Sequence, residues 1–151
     1  MINNEFYLED VQGVMQEVMN SGGEFRFYPK GKSMLPLIRQ GKDSIALVAV
    51  QGQLKKYDLP LYVRNNGQFV LHRVIGEDSN GYIMCGDNQT ALEYGILPQQ
   101  IRAKVCAVYR KDRRIEITDK SYVLYCRLWC FMPLRRVVIL MKRVLKKIFV
   151  R

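Results

Sequence analysis

Of the side-chain types that ordinarily exchange a proton near pH 7, histidine is the rarest in this chain. His72 is the only histidine. An imidazole with its ordinary pKa of about 6.5 is mostly neutral at pH 7 and ready to accept a proton. A serine hydroxyl becomes a useful nucleophile only when a base within hydrogen-bond reach takes that proton. The most informative string is Gly31-Lys32-Ser33-Met34-Leu35-Pro36. Gly-Lys-Ser also ends a phosphate-binding loop, but that motif needs another glycine five residues before Gly31, where Arg26 stands. Pro36 disfavours a helical Leu35, so the helix such a loop feeds is not expected either. Cys85, Cys106, Cys126 and Cys130 show no Cys-x-x-Cys spacing and no histidine nearby. A zinc site, a disulfide framework and a cofactor are therefore not expected.

The elements that must hold these groups are mainly strands. Leu8 to Met19 has apolar residues at helical spacing, capped by Asn3 or Asn4 and ended by Asn20-Ser21-Gly22-Gly23. Strands are expected at 25–28, 44–50, 61–64, 68–75, 82–85, 101–109 and 113–117. Turn signals such as Asn65-Asn66-Gly67 and Asp78-Ser79-Asn80-Gly81 separate them. Short strands at this spacing favour an antiparallel sandwich or barrel over alternating strand–helix units. The expected organisation is an N-terminal helix (1–24), a β domain (25–120) and a basic amphipathic tail (121–151).

Composition narrows the classes further. The 151 residues suit one core, and 48% apolar with 25% charged residues is ordinary globular usage. No apolar stretch approaches the roughly 20 residues of a simple membrane span. Glu5, Glu9 and Asp10 stand where a secretory leader would be basic and apolar. The net charge is +10, and residues 121–151 hold eight basic side chains and no acid. The body is thus nearly neutral and the tail cationic.

Several strings occur in a telling order. Ser33-Met34-Leu35-Pro36 is followed by Gly41-Lys42-Asp43-Ser44-Ile45-Ala46-Leu47-Val48, then by Tyr57-Asp58-Leu59-Pro60-Leu61-Tyr62. Leu71-His72-Arg73-Val74-Ile75-Gly76, Tyr82-Ile83-Met84-Cys85-Gly86-Asp87-Asn88 and Ile101-Arg102-Ala103-Lys104-Val105 complete the series. Over residues 27–110 this series resembles the signal peptidase I family, whose clan also contains self-cleaving repressors. A histidine before Arg73, where the main bacterial type has lysine, resembles the endoplasmic-reticulum, archaeal and sporulation-type branch.

The resemblance implies a serine endopeptidase needing no metal or cofactor, with Ser33 as nucleophile and His72 as general base. Gly31, Ser33 and Met34 would line the oxyanion and substrate cleft. The substrate would be a precursor protein or peptide, bound extended, with small side chains just before the cut. Asp87 is the candidate to orient His72 as the third member of a triad. It reads equally as a turn aspartate accepting backbone N–H bonds. Lys55 and Lys56 are the alternative bases, but they lie in a polar turn. Two positions depart from the family pattern: Gly31 replaces a serine that helps the oxyanion hole, and Tyr57 replaces a glycine.

The tail is expected to replace the family's membrane anchor. Arg135, Arg136, Lys142, Arg143, Lys146 and Lys147 would meet an anionic surface, with Trp129 at the headgroup level. A helix packed on the body or on a partner is the competing reading. Cys126 and Cys130, one helical turn apart, are expected as free thiols. Nucleic acid is not an expected partner, since the short N-terminal segment has no room for a helix-turn-helix. The expectation is peripheral membrane association, on the cytoplasmic face. A non-catalytic β-module that holds a peptide or partner at a membrane is the alternative, supported by Gly31 and Tyr57.

Overall fold

The computed structural model describes residues 8–149, apart from the side chains of Leu8, Glu9, Arg143, Lys146 and Phe149. The Asn3 and Asn4 caps expected for the first helix lie outside the described residues. The chain is mainly β, with antiparallel sheets, one short N-terminal helix and two C-terminal helices.

Helix α1 (Leu8–Asn20) buries Met15 and Met19, and Val11 packs beside them. It ends where Gly22 takes a φ of 79°, a left-handed conformation that glycine adopts without a Cβ penalty. The larger sheet holds β1 (Phe25–Phe27), β2 (Asp43–Val48), β3 (Pro60–Val63), β4 (Phe69–Leu71), β8 (Ile101–Arg110) and β9 (Arg113–Glu116). Its order is β1-β2-β8-β3-β4, with β9 also on β8. The smaller sheet runs β5 (Arg73–Asp78), β6 (Gly81–Cys85), β7 (Glu93–Ile96).

The β3–β4 hairpin is buried on both faces. Side chains alternate across a strand, so Leu61 and Leu71 enter the main core while Tyr62 and Val70 enter a second one. Leu61 pairs with Leu71 and Tyr62 with Val70. One further step of that alternation puts His72 on the Tyr62 side. The expected strand 68–75 is in fact two strands in different sheets, and His72 is the residue between them. Strand β7 was not expected at all. Its Glu-Tyr-Gly-Ile sequence lacks an apolar alternation, and Gly95 sits at a φ of 72°.

Helix α2 (Lys120–Trp129) starts where the tail was expected to begin. It nonetheless contributes Tyr122 and Cys126 to the main core. Helix α3 (Met132–Phe149) follows, with Pro133 in its first turn, where a missing N–H costs nothing. Arg135 and Ile139 of α3 are buried, four residues apart on the inward face of the helix. No helix among the described residues is long and apolar enough to cross a membrane.

Candidate functional site

Ser33 stands in a turn running from Lys32, closed by bonds from Leu35 N–H to the Lys32 carbonyl and from Ile38 N–H to the Met34 carbonyl. Met34 and Ile38 sink into the main core and anchor the turn from below. Asp43 braces its far end, where Arg39 donates from Nε and Nη2 at 2.8 Å each and from its backbone N–H at 2.9 Å. Gly31 has a φ of 96° and donates its N–H to Gln40 Oε1 at 3.0 Å. A serine at position 31 would meet nothing within 4 Å but would carry that left-handed strain.

The Gly-Asp-Asn string holds this turn from above. Asn88 N–H donates to the Ser33 carbonyl at 2.7 Å, and Asn88 Nδ2 to the Lys32 carbonyl at 3.2 Å. A Cβ on Gly86 would sit 2.8 Å from the Ser33 carbonyl oxygen, so glycine is needed for the approach. Among the described residues, neither Ser33 Oγ nor Ser33 N–H has a hydrogen-bond partner.

Ser33 and His72 line the same open cleft of about 390 Å³, together with Gly31, Met34, Arg64, Gln89 and all three residues of β4. β4 ends the order of its sheet, which leaves one strand edge unpaired there. A second hollow, lined by Asn88 to Glu93, continues from Arg64, His72 and Gln89. Lys55 and Lys56 are exposed and line neither. All three expected cleft residues are therefore brought together with His72.

His72 is only 5% exposed. Burial pushes its imidazole down to about 4, and the Arg64 charge acts the same way; the Glu93 and Asp87 carboxylates pull it upward. Its Nδ1 lies 3.3 Å from the Tyr62 hydroxyl and 3.8 Å from Glu93 Oε2. Tyr62 donates to Glu93 at 2.7 Å, and Arg64 donates to both Glu93 oxygens at 2.7 Å each. Sequence reading missed Glu93 because its strand carries no pattern. Tyr62 was inside a recognised string but drew no role.

Asp87 is placed elsewhere. It makes no hydrogen bond to His72. Arg73 donates to its two oxygens at 2.8 Å each, both residues being fully buried, and Tyr125 donates to it at 2.9 Å. Arg73 also reaches the Tyr57 carbonyl and the Tyr122 hydroxyl at 3.0 Å, and the Cys126 sulfur at 3.1 Å. The glycine position of the third string is explained here. Tyr57 adopts a φ of 79°, strained for a side chain, while its carbonyl accepts from Arg73 and its N–H donates to Val74.

Two residues expected at a membrane bond to this buried cluster, Trp129 from a half-buried position at its edge and Arg135 from within it. Trp129 donates its indole N–H to the Asp87 carbonyl at 2.7 Å. Arg135 is fully buried, donating to the Trp129 and Gly86 carbonyls and the Cys85 sulfur. Nε and Nη1 of Arg135 make these bonds, while Nη2 has no hydrogen-bond partner among the described residues and lies 3.8 Å from Asp87 Oδ1, a buried ion pair. Of the other expected contacts, Arg136, Lys142 and Lys147 are exposed, and the Arg143 and Lys146 side chains lie outside the described residues. All four cysteines are free thiols, and Cys126 and Cys130 are both buried.

Comparison with protein-family models gives no match, and comparison with curated proteins finds no relative.

Proposed function

We propose that this chain is a serine endopeptidase similar to signal peptidase I, acting on an extended precursor peptide at a membrane surface. The observation that carries the reading is a serine with free Oγ and N–H sharing one cleft with the chain's only histidine. The Ser33 oxygen attacks the scissile carbonyl carbon while His72 takes its proton. The resulting oxyanion is met by the Ser33 N–H, a donor with no competing partner. As the tetrahedral species collapses, the C–N bond breaks and His72 returns the proton to the leaving amine. Water then repeats the sequence on the acyl-enzyme. The unpaired edge of β4 offers main-chain partners to an extended peptide, which fits a peptidase of the sandwich or barrel-like kind.

The surface part of the reading rests on α3. Leu134, Val137, Leu140, Met141, Val144, Leu145 and Ile148 are all exposed, with Arg136, Lys142 and Lys147 beside them. An apolar stripe flanked only by cations suits an anionic leaflet.

The decisive experiment is mass spectrometry of candidate precursors incubated with wild-type and Ser33→Ala protein. Cleavage should fall by several orders of magnitude in the variant. Equal processing by both proteins would end the reading. The second reading, a non-catalytic module that holds a peptide, is favoured by one observation: His72 is only 5% exposed and lies near the Arg64 charge, and both push its imidazole down and make it a weaker base. Failure of an active-site-directed fluorophosphonate to label Ser33 at any pH would favour it over the peptidase.

A further inference from the structure

The peptidase reading leaves the imidazole without an orienting partner, because both Asp87 oxygens are held by Arg73 and Tyr125. The following inference rests on that reading. Glu93 is gripped by Arg64 through two bonds of 2.7 Å, which holds its carboxyl below the ordinary range. It is an ionised acceptor with no proton to give. Tyr62, fully buried, has one hydroxyl proton, and its 2.7 Å bond to Glu93 claims it. The Tyr62 oxygen then offers only lone pairs to His72. A hydrogen bond across the 3.3 Å gap must therefore come from Nδ1–H.

We propose that Tyr62 and Glu93 are the positioning residues of this site. They hold His72 as the Nδ1–H tautomer and leave the Nε2 lone pair to take the Ser33 proton, the task first expected of Asp87. Tyr62 arrives from β3, Glu93 from β7, and His72 from the joint between β4 and β5, so both sheets fix the ring. When the proton reaches Nε2, the new imidazolium stays on His72, stabilised by its Nδ1–H bond to Tyr62 and by the Glu93 carboxylate 3.8 Å from Nδ1. The charged groups around it are Glu93 and Asp87, which favour it, and Arg64, which opposes it. Tyr62 itself stays a neutral phenol, because burial and Glu93 push its ionisation to much higher pH.

A single histidine makes the test direct. Nitrogen-15 NMR of the imidazole in the full chain at pH 7 reads the tautomer. The rate of Ser33 phosphonylation by a fluorophosphonate, in which the Oγ–P bond forms, fluoride leaves and His72 takes the proton, reads the consequence. Wild-type protein should show Nδ1–H. Tyr62→Phe should shift the population toward Nε2–H and slow labelling about tenfold to a hundredfold. Glu93→Gln still accepts the Tyr62 proton, so it should keep the tautomer. Loss of the carboxylate should move the acid limb of its labelling profile to lower pH. An Nε2–H tautomer in the wild type overturns the assignment. So does Tyr62→Phe protein that labels at the wild-type rate with its tautomer unchanged. If Tyr62→Phe does not fold, the wild-type tautomer and the Glu93→Gln profile decide. Absence of wild-type labelling overturns the peptidase reading instead, and the tautomer alone then judges the Tyr62–Glu93 pair.

Discussion

An imidazole that is only 5% exposed titrates differently from one in water, and two measurements follow from that for His72. With its pKa pushed down to about 4, the neutral base persists well below the ordinary range. The acid limb of kcat/KM is expected near pH 4, not near 6.5. The unfolded chain binds a proton at about 6.5 that the folded chain refuses until about 4. Stability is therefore fully present above pH 6.5 and lost as pH falls toward 4, by roughly 3 kcal/mol in total. Urea unfolding at pH 7 and 4.5 should show this loss, and His72→Gln should shrink it. Asp87 makes the opposite kind of contribution. Replacing it with Asn leaves the buried Arg73 charge without its counter-ion, at a cost of about 3–5 kcal/mol. Chemical denaturation checks the cost. The His72 tautomer of whatever remains folded should be unchanged, which a triad aspartate would not allow.

Elements meet at the nucleophile turn more tightly than the residues alone suggest. The loop after β6 lies on the Ser33 carbonyl through Gly86 and Asn88, while the same loop offers Asp87 to Arg73 at the start of β5. Gly86→Ala would push a Cβ to 2.8 Å from a backbone oxygen that cannot turn aside. We expect a loss of about 1–3 kcal/mol, in the range for overpacking, and slower labelling of Ser33 in the fraction that folds. Unchanged denaturation midpoint and labelling rate would show that the loop is free to retreat. Tyr57 illustrates the same coupling: its strained φ of 79° is retained while its backbone bonds Arg73 and Val74.

At the scale of the whole molecule, α2 and the first turn of α3 are tied to the body, while the outer face of α3 stays exposed. Trp129 and Arg135 tie the root of α3 to Asp87 and Gly86, one and two residues before Asn88, whose N–H bonds Ser33. Val144→Glu with Leu145→Glu, both exposed, should leave the melting temperature within about 1–2 °C, as surface substitutions usually do. The same pair should abolish co-sedimentation with phosphatidylglycerol vesicles. Wild-type protein should bind those vesicles less well at high salt and ignore phosphatidylcholine alone. Equal binding of wild type and variant would place the contact elsewhere.

The sequence alone determined most strands, the N-terminal helix, the basic tail and the string that carries Ser33. These are set by local periodicity, turn residues and charge, which a chain carries without folding. It also singled out His72, by its being alone. Where the run 68–75 breaks, what Glu93 does, and which acid stands behind the imidazole were decided only by tertiary structure. The Tyr62–Glu93 bond joins positions 31 apart, and Arg73–Asp87 joins positions 14 apart. Such contacts depend on sheet register and on which neighbour claims a buried carboxylate first. Arg73 claimed Asp87, because a buried guanidinium needs its counter-ion more than a neutral imidazole does.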